Sequence, residues 1–305
     1  MRKIVLLLLV LAILCSGNSV SFAVILGSTG AQVLGIGPGA RISGMGEAFS
    51  AVADDPSAIL WNPGGLALMN GKEIMFTQNY WLMDTRYQFA GGVLPYGTAA
   101  LGFSYAMLDA GEFLWRDNNG ANVGEGSYDA KATVMSICFS EKLSDNFSFG
   151  LNGKILNQSI EEETAVSYHL DAGLMFRLSP NVNLALVVQN AGQEVKFINE
   201  GDPSPMNIIG GTAIKIPMGV NQQYFTLACD VNYMYDEISI NTGGEIRIGN
   251  FALRTGYQLN PGLISFGGGI NLENLGPVQK VMVDFVFMQY GPLGDTKRIS
   301  VGMKF

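Results

Sequence analysis

From residue 73 to its last residue the chain alternates apolar and polar positions with a period of two, which puts a different chemistry on each face of an extended strand. Between 166 and 178, Tyr168, Leu170, Leu174 and Phe176 share one face while His169, Asp171 and Arg177 share the other. Phe225, Leu227, Val231 and Tyr233 oppose Thr226, Asp230 and Asn232 in the same way, and Ile238, Ile240, Ile246 and Ile248 oppose Ser239, Asn241, Glu245 and Arg247. Fourteen segments carry the pattern: 73–81, 86–95, 98–108, 128–140, 147–157, 166–178, 182–192, 206–216, 224–235, 238–248, 251–260, 264–272, 278–288 and 296–305. The last sets Ile299, Val301, Met303 and Phe305 against Arg298, Ser300 and Lys304, and is expected to pair with 73–81 and close the sheet on itself. Strands of about 9–11 residues suit an outer-membrane span, whereas globular strands run about 5–6. The predicted fold is therefore all-β, a transmembrane antiparallel β-barrel of about 14 strands over residues 73–305, with its polar faces in the lumen.

The connections sort by parity. With both termini on the periplasmic side, that side receives the compact turns at 96–97, 141–146, 179–181, 217–223, 249–250 and 273–277. The two longest connections, 109–127 and 193–205, fall on the opposite side together with the acidic segment 159–164. Tyr80, Trp81, Tyr235, Tyr290 and Phe305 lie near strand ends, where an interfacial aromatic girdle belongs. Phe305 is also the expected signal to the barrel-assembly machinery.

The first 72 residues do not alternate. Arg2 and Lys3 precede an apolar run to Leu14 and the A-x-A-like Ser21-Phe22-Ala23, which predicts a signal peptide over 1–23. Cys15 follows the run, but Leu14 stands where lipoprotein processing needs a small residue, and the run is too short for a membrane helix. Residues 24–72 hold a glycine-rich stretch, 35–39, then a small-residue run, 40–52, with Ile42, Met45, Phe49 and Val52 at helical spacing. Asp54 or Asp55 before Pro56 signals the cap of a second short helix, which Asn62-Pro63-Gly64-Gly65 ends. Small residues and weak charge favour a short helical N-terminal plug inside the lumen over a periplasmic appendage.

Composition agrees with an exported barrel: 48% of residues are hydrophobic and the mean hydropathy is +0.23. Yet no apolar stretch after the signal peptide approaches the ~20 residues of a membrane helix. The formal charge of −8 becomes more negative once Arg2 and Lys3 are removed, which argues against nucleic acid and leaves outer-membrane lipid as the surroundings. Cys138 and Cys229 lie in separate strands and are expected to be free thiols.

Within residues 39–67, the order Gly44-Met45-Gly46, Asp54-Asp55, then Trp61-Asn62-Pro63 with Gly65 resembles the amino-terminal signature of the PorV/PorQ family. That family is distantly similar to FadL-type long-chain fatty acid transporters. The resemblance implies an outer-membrane barrel with an amino-terminal plug that transports hydrophobic solutes. Its alternative implication is an accessory barrel that docks exported proteins in type IX-like secretion. Gly64 departs from the alanine common in the family and is expected to matter little for the fold.

The predicted lumen face collects Lys154, His169, Asp171, Arg177, Asp230, Glu245, Arg247, Arg254 and Asp284 as a hydrogen-bond and ion-pair network. His169 lies two residues from Asp171, a pair that an outer-membrane hydrolase could use, but no nucleophile motif accompanies it, so no enzyme is expected. Gly35-x-Gly37-x-Gly39 lacks nucleotide-loop spacing. Asp54-Asp55 reads as a cap and 161–163 as a solvated loop rather than metal ligands, and no cofactor is expected. Alternation alone also suits a soluble exported β-sandwich adhesin. On the FadL-like implication, a solute is expected to leave when the plug or a strand kink near 267–269 opens a path.

Overall fold

The computed structural model of the chain describes residues 30–116, 122–219, 223–290 and 294–305, and the signal peptide expected over 1–23 lies outside them. The strands are β1 (Glu73–Tyr80), β2 (Arg86–Tyr96), β3 (Ala99–Arg116), β4 (Asn122–Ser144), β5 (Phe147–Ile160), β6 (Glu163–Ser179), β7 (Val182–Gly192), β8 (Val195–Lys196), β9 (Gly201–Asp202), β10 (Asn207–Pro217), β11 (Tyr224–Met234), β12 (Glu237–Ile248), β13 (Phe251–Gln258), β14 (Leu263–Leu275), β15 (Val278–Gln289) and β16 (Asp295–Lys304). Fourteen of them form one closed antiparallel barrel, while β8 and β9 make a separate two-stranded ribbon. The barrel closes between β1 and β16, from Glu73 opposite Lys304 to Tyr80 opposite Lys297. We call the end that holds Glu73 and the tight turns the inner end, and the other the outer end.

Closure removes every unpaired edge, the condition for backbone to lie in hydrocarbon. The two faces are inverted relative to a soluble protein. Phe76, Phe103, Ile137, Tyr168, Leu253 and Phe266 are exposed around the outside, whereas Thr77, Asn152, Asp171, Asp230, Glu245 and Arg298 are buried inside. An apolar belt of that extent around a polar, filled interior suits a bilayer as the outer solvent.

Several expectations change in detail. Most of the connection expected at 109–127 is strand: β3 and β4 continue outward as a ladder, with register shifts between Asp109 and Glu112 and between Leu114 and Arg116. The helical spacing of 40–52 yields only one short helix, Ala40–Gly44. The next residues cannot extend it, because Gly46 and Glu47 adopt φ of 60° and 63°. The second helix, Ala58–Trp61, has no side-chain cap. Asp55 instead accepts a bond from the Ser57 backbone N–H at 3.0 Å, making a turn before the helix. Tyr80, Tyr235 and Phe305 are exposed, but Trp81 and Tyr290 are half-buried and pack edge to face, 5.3 Å apart. No kink occurs at 267–269, where β14 keeps unbroken register with both β13 and β15. One irregular wall position that faces the segment is on β6 and β7, where Leu170–Ala172 lies opposite Ala191–Val188 and Asn190 takes φ of 59°. That extra residue is a β-bulge.

Candidate functional site

The lumen and the segment within it form the candidate site. The segment starts near the outer end, where the Gln158 amide donates to the Gly30 carbonyl. It passes Arg298, whose guanidinium donates to the carbonyls of Gly37 and Gly39, and the Ala40 N–H then donates to Ser300 Oγ at 2.8 Å. After crossing the lumen it leaves at the inner end, where the Phe305 N–H donates to the Lys72 carbonyl at 2.9 Å.

Two carboxylates on the wall bind the middle of the segment. Asp230 on β11 accepts from the Phe49 N–H at 3.0 Å, the Ser50 N–H at 2.9 Å and the Ser50 hydroxyl at 2.8 Å. Glu245 on β12 accepts from Arg41 through Nε at 2.9 Å and Nη2 at 3.1 Å, the two-pronged geometry that best matches guanidinium to carboxylate. Arg254 on β13 bridges Glu245 at 2.6 Å and Asp284 at 2.7 Å. Arg41 also pairs with Asp54, so the segment folds back on itself through the same guanidinium. Burial alone would lower the Arg41 pKa, but Asp54 and Glu245 raise it well above its ordinary value. Burial pushes the Asp55 carboxyl up, with Arg41 opposing.

The motif residues have mainly packing roles. A Cβ on Gly243 or Gly256 of the wall would strike the Met45–Gly46 backbone, and Gly46 itself needs positive φ. Gly44 lies over the Arg254 side chain. Asn62 accepts from the Gly64 N–H at 3.0 Å and donates to the Ser50 carbonyl at 2.7 Å, which starts the 3-10 turn at Pro63. The Trp61 ring is buried in the apolar core, and its carbonyl accepts from Gln189 at 2.7 Å. Gly65 abuts the Ala53 backbone. The expectation for Gly64 does not hold, since a Cβ there would sit 2.8 Å from the Gly173 carbonyl oxygen.

The wall network is three clusters rather than one. Glu245, Arg247, Arg254 and Asp284 lie together on β12, β13 and β15, with Arg247 more distant at 3.9 Å from Glu245. Among the described residues, the hydrogen bonds of the Asp230 carboxylate all go to the segment. Lys154 and Asp171 pair at 2.8 Å at the bulge, where Asp171 also accepts from the Asn190 N–H at 2.8 Å and from Asn152 at 3.0 Å. His169 is bonded to Ser167 at 2.8 Å and Ser204 at 2.9 Å, which ties the connection after β7 to the wall. Arg177 shares their face but is exposed near the inner turn, joined to Asn146 through its backbone. Sequence reasoning did not select Arg41, Asn190 or Arg298. An arginine in a segment expected to be buried was the available signal for Arg41.

Apolar contacts form two layers. The inner layer packs Ile42, Phe49, Ile59 and Leu66 against Val93, Ala100, Met175 and Ala213 of the wall. The outer layer packs Val33, Leu34 and Ile36 against Tyr87, Phe89, Val134 and Leu156 on β2, β4 and β5. A cavity of about 190 Å³ opens at the inner end, bordered by Arg41, Glu73, Arg247, Lys280 and Lys304.

No protein-family model matches the chain, and no curated protein is similar to it in sequence. Among solved structures, the Pseudomonas putida toluene transporter TodX superposes with a TM-score of 0.64 at 14% identity, covering 88% of this chain and 99% of that one. The Ralstonia pickettii toluene transporter TbuX gives 0.59 at 11% identity, covering 88% and 97%. A Pseudomonas aeruginosa FadL homologue gives 0.59 at 10% identity, covering 88% and 98%. At these identities the likeness is one of fold, a FadL-type barrel.

Proposed function

We propose that this chain is an outer-membrane barrel that carries hydrophobic solutes inward through its lumen, with residues 30–72 as a plug. The observation that carries the reading is the outer lumen wall. A water-filled barrel turns polar side chains inward, but here Tyr87, Phe89, Val134 and Leu156 face inward and meet an equally apolar Val33–Leu34–Ile36 stretch. A solute that shuns water would exchange for those side chains at little free-energy difference. Two of the superposed structures, TodX and TbuX, are toluene transporters, which agrees with the reading. Whole-cell uptake of radiolabelled oleate and toluene tests it: cells making the barrel should take up at least one faster than cells without it, and equal rates for both would refute it.

A second reading, a PorV-like platform for exported proteins, is favoured by one feature. The β3–β4 ladder, with strands of 18 and 23 residues, is far longer than a span of about 9–11 residues requires. Exported proteins that co-purify with the intact barrel and are lost when 110–126 is shortened would support this reading.

A further inference from the structure

Asn79, Tyr87 and Arg298 stand side by side across three strands: Asn79 is in register with Tyr87 on β2 and with Arg298 on β16. All three are lumen residues, and their exposures are 0%, 0% and 2%. Even so, the Tyr87 hydroxyl, both polar atoms of the Asn79 amide and Arg298 Nε have no hydrogen-bond partner among the described residues. Buried polar groups are almost always paired, so four orphan atoms in one row call for an explanation.

The adjacent row shows that the wall can satisfy such groups. One step inward, Thr77 and Ser300 bond to each other at 2.8 Å, and Ser300 also accepts from the Ala40 N–H. The orphan row is rich in donors: the amide NH2, the phenol O–H and the guanidinium N–H, against the amide oxygen and the phenol oxygen as acceptors. Arg298 already spends another nitrogen on the Gly37 and Gly39 carbonyls, so neutral oxygens are the kind of partner this position accepts. Glu47 Oε1 and Arg298 Nη1 both lie close to Gly37, within 3.3 and 3.5 Å of where its Cβ would be, so a carboxylate already stands in the neighbourhood of the arginine. Tyr87 and Phe89 belong to the apolar outer layer, and the Trp81 ring lies 5.8 Å from Arg298.

We propose that the Asn79–Tyr87–Arg298 row binds the oxygen atom of an otherwise apolar, uncharged solute, such as an alcohol, ketone or ester. This rests on the hydrophobic-transport reading and adds the chemical class that the lumen selects. The row discriminates because a pure hydrocarbon leaves its donors unpaired, while an oxygenated solute of the same length pairs them.

The test uses the full barrel in detergent and quenching of its tryptophan fluorescence by two probes, a brominated octanol and the matching bromooctane. The readout is the ratio of their affinities in wild type against Asn79→Leu and Tyr87→Phe, a comparison in which partition into detergent cancels. We expect each substitution to lower the alcohol-to-alkane ratio about tenfold, the equivalent of one or two hydrogen bonds. Bromooctane quenching should persist, which also confirms that the variants fold. The same ratio in wild type and both variants overturns the proposal while leaving hydrophobic transport standing. If neither probe quenches the wild-type protein, the transport reading fails and takes the proposal with it.

Discussion

Residues 40–66 and residues 30–36 occupy the same lumen and are held there by different forces. The first stretch is bound by charge and shape: Glu245 grips Arg41, Asp230 grips Phe49 and Ser50, and glycines in the wall admit its backbone. The second is held by apolar contact and few polar bonds, among them Asn190 to the Leu34 carbonyl at 3.4 Å and Gln158 to Gly30. Charged groups buried in a lumen have specific partners and leave them at high cost, while an apolar side chain gives way to any apolar replacement. The difference teaches that one segment is anchored in two ways: the inner stretch by specific polar partners and close backbone fit, the outer one by apolar contacts that another apolar group could replace, which is where the proposed transport would begin.

The comparison can be broken at four points. Glu245→Ala should have the largest effect, because it strands Arg41 and Arg254 without their shared carboxylate. The expected loss is about 3–5 kcal/mol, read as a lower temperature for the heat-induced shift of the barrel on gels. Melting indistinguishable from wild type would mean that the clamp does not hold the segment. Asp230→Ala removes three hydrogen bonds to one carboxylate and should cost about 3 kcal/mol, measured by urea unfolding in lipid vesicles. Gly256→Ala drives a methyl into the Met45–Gly46 backbone, for an expected cost of about 1–3 kcal/mol in the same assay. Leu34→Ala, in the outer stretch, should cost about 1 kcal/mol or less, since the side chain is only partly buried. Solute uptake should nevertheless rise in that variant, and a fall in uptake would reverse the roles assigned to the two stretches.

The wall was legible in the sequence to a degree that the lumen was not. Thr296 to Lys304 could be read as a closing strand because the alternation of Arg298, Ile299, Ser300 and Val301 is local, and the pairing with β1 follows. The same alternation put His169 and Arg177 on one face but carried no information about depth: His169 is buried at the bulge, whereas Arg177 lies exposed near an inner turn. His169 and Asp171, neighbours on that face, take different partners for a related reason. The bulge turns Asp171 to Lys154 and Asn190, and His169 takes serine partners on β6 and on the connection after β7. In the amino-terminal segment, helical spacing from 40 to 52 was misleading because Gly46 and Glu47 leave helical geometry where the backbone lies against the wall.

Taken alone, the sequence determines about fourteen strands, each with one apolar and one polar face, because the two-residue period is written into every strand separately. Only the tertiary structure decides which lumen groups meet, since those contacts join positions as distant as Ala40 and Ser300, 260 residues apart. No local periodicity encodes such a pairing. It depends on the path of one irregular segment through a closed sheet, and that path is set by where the wall offers a carboxylate, a glycine or an apolar face.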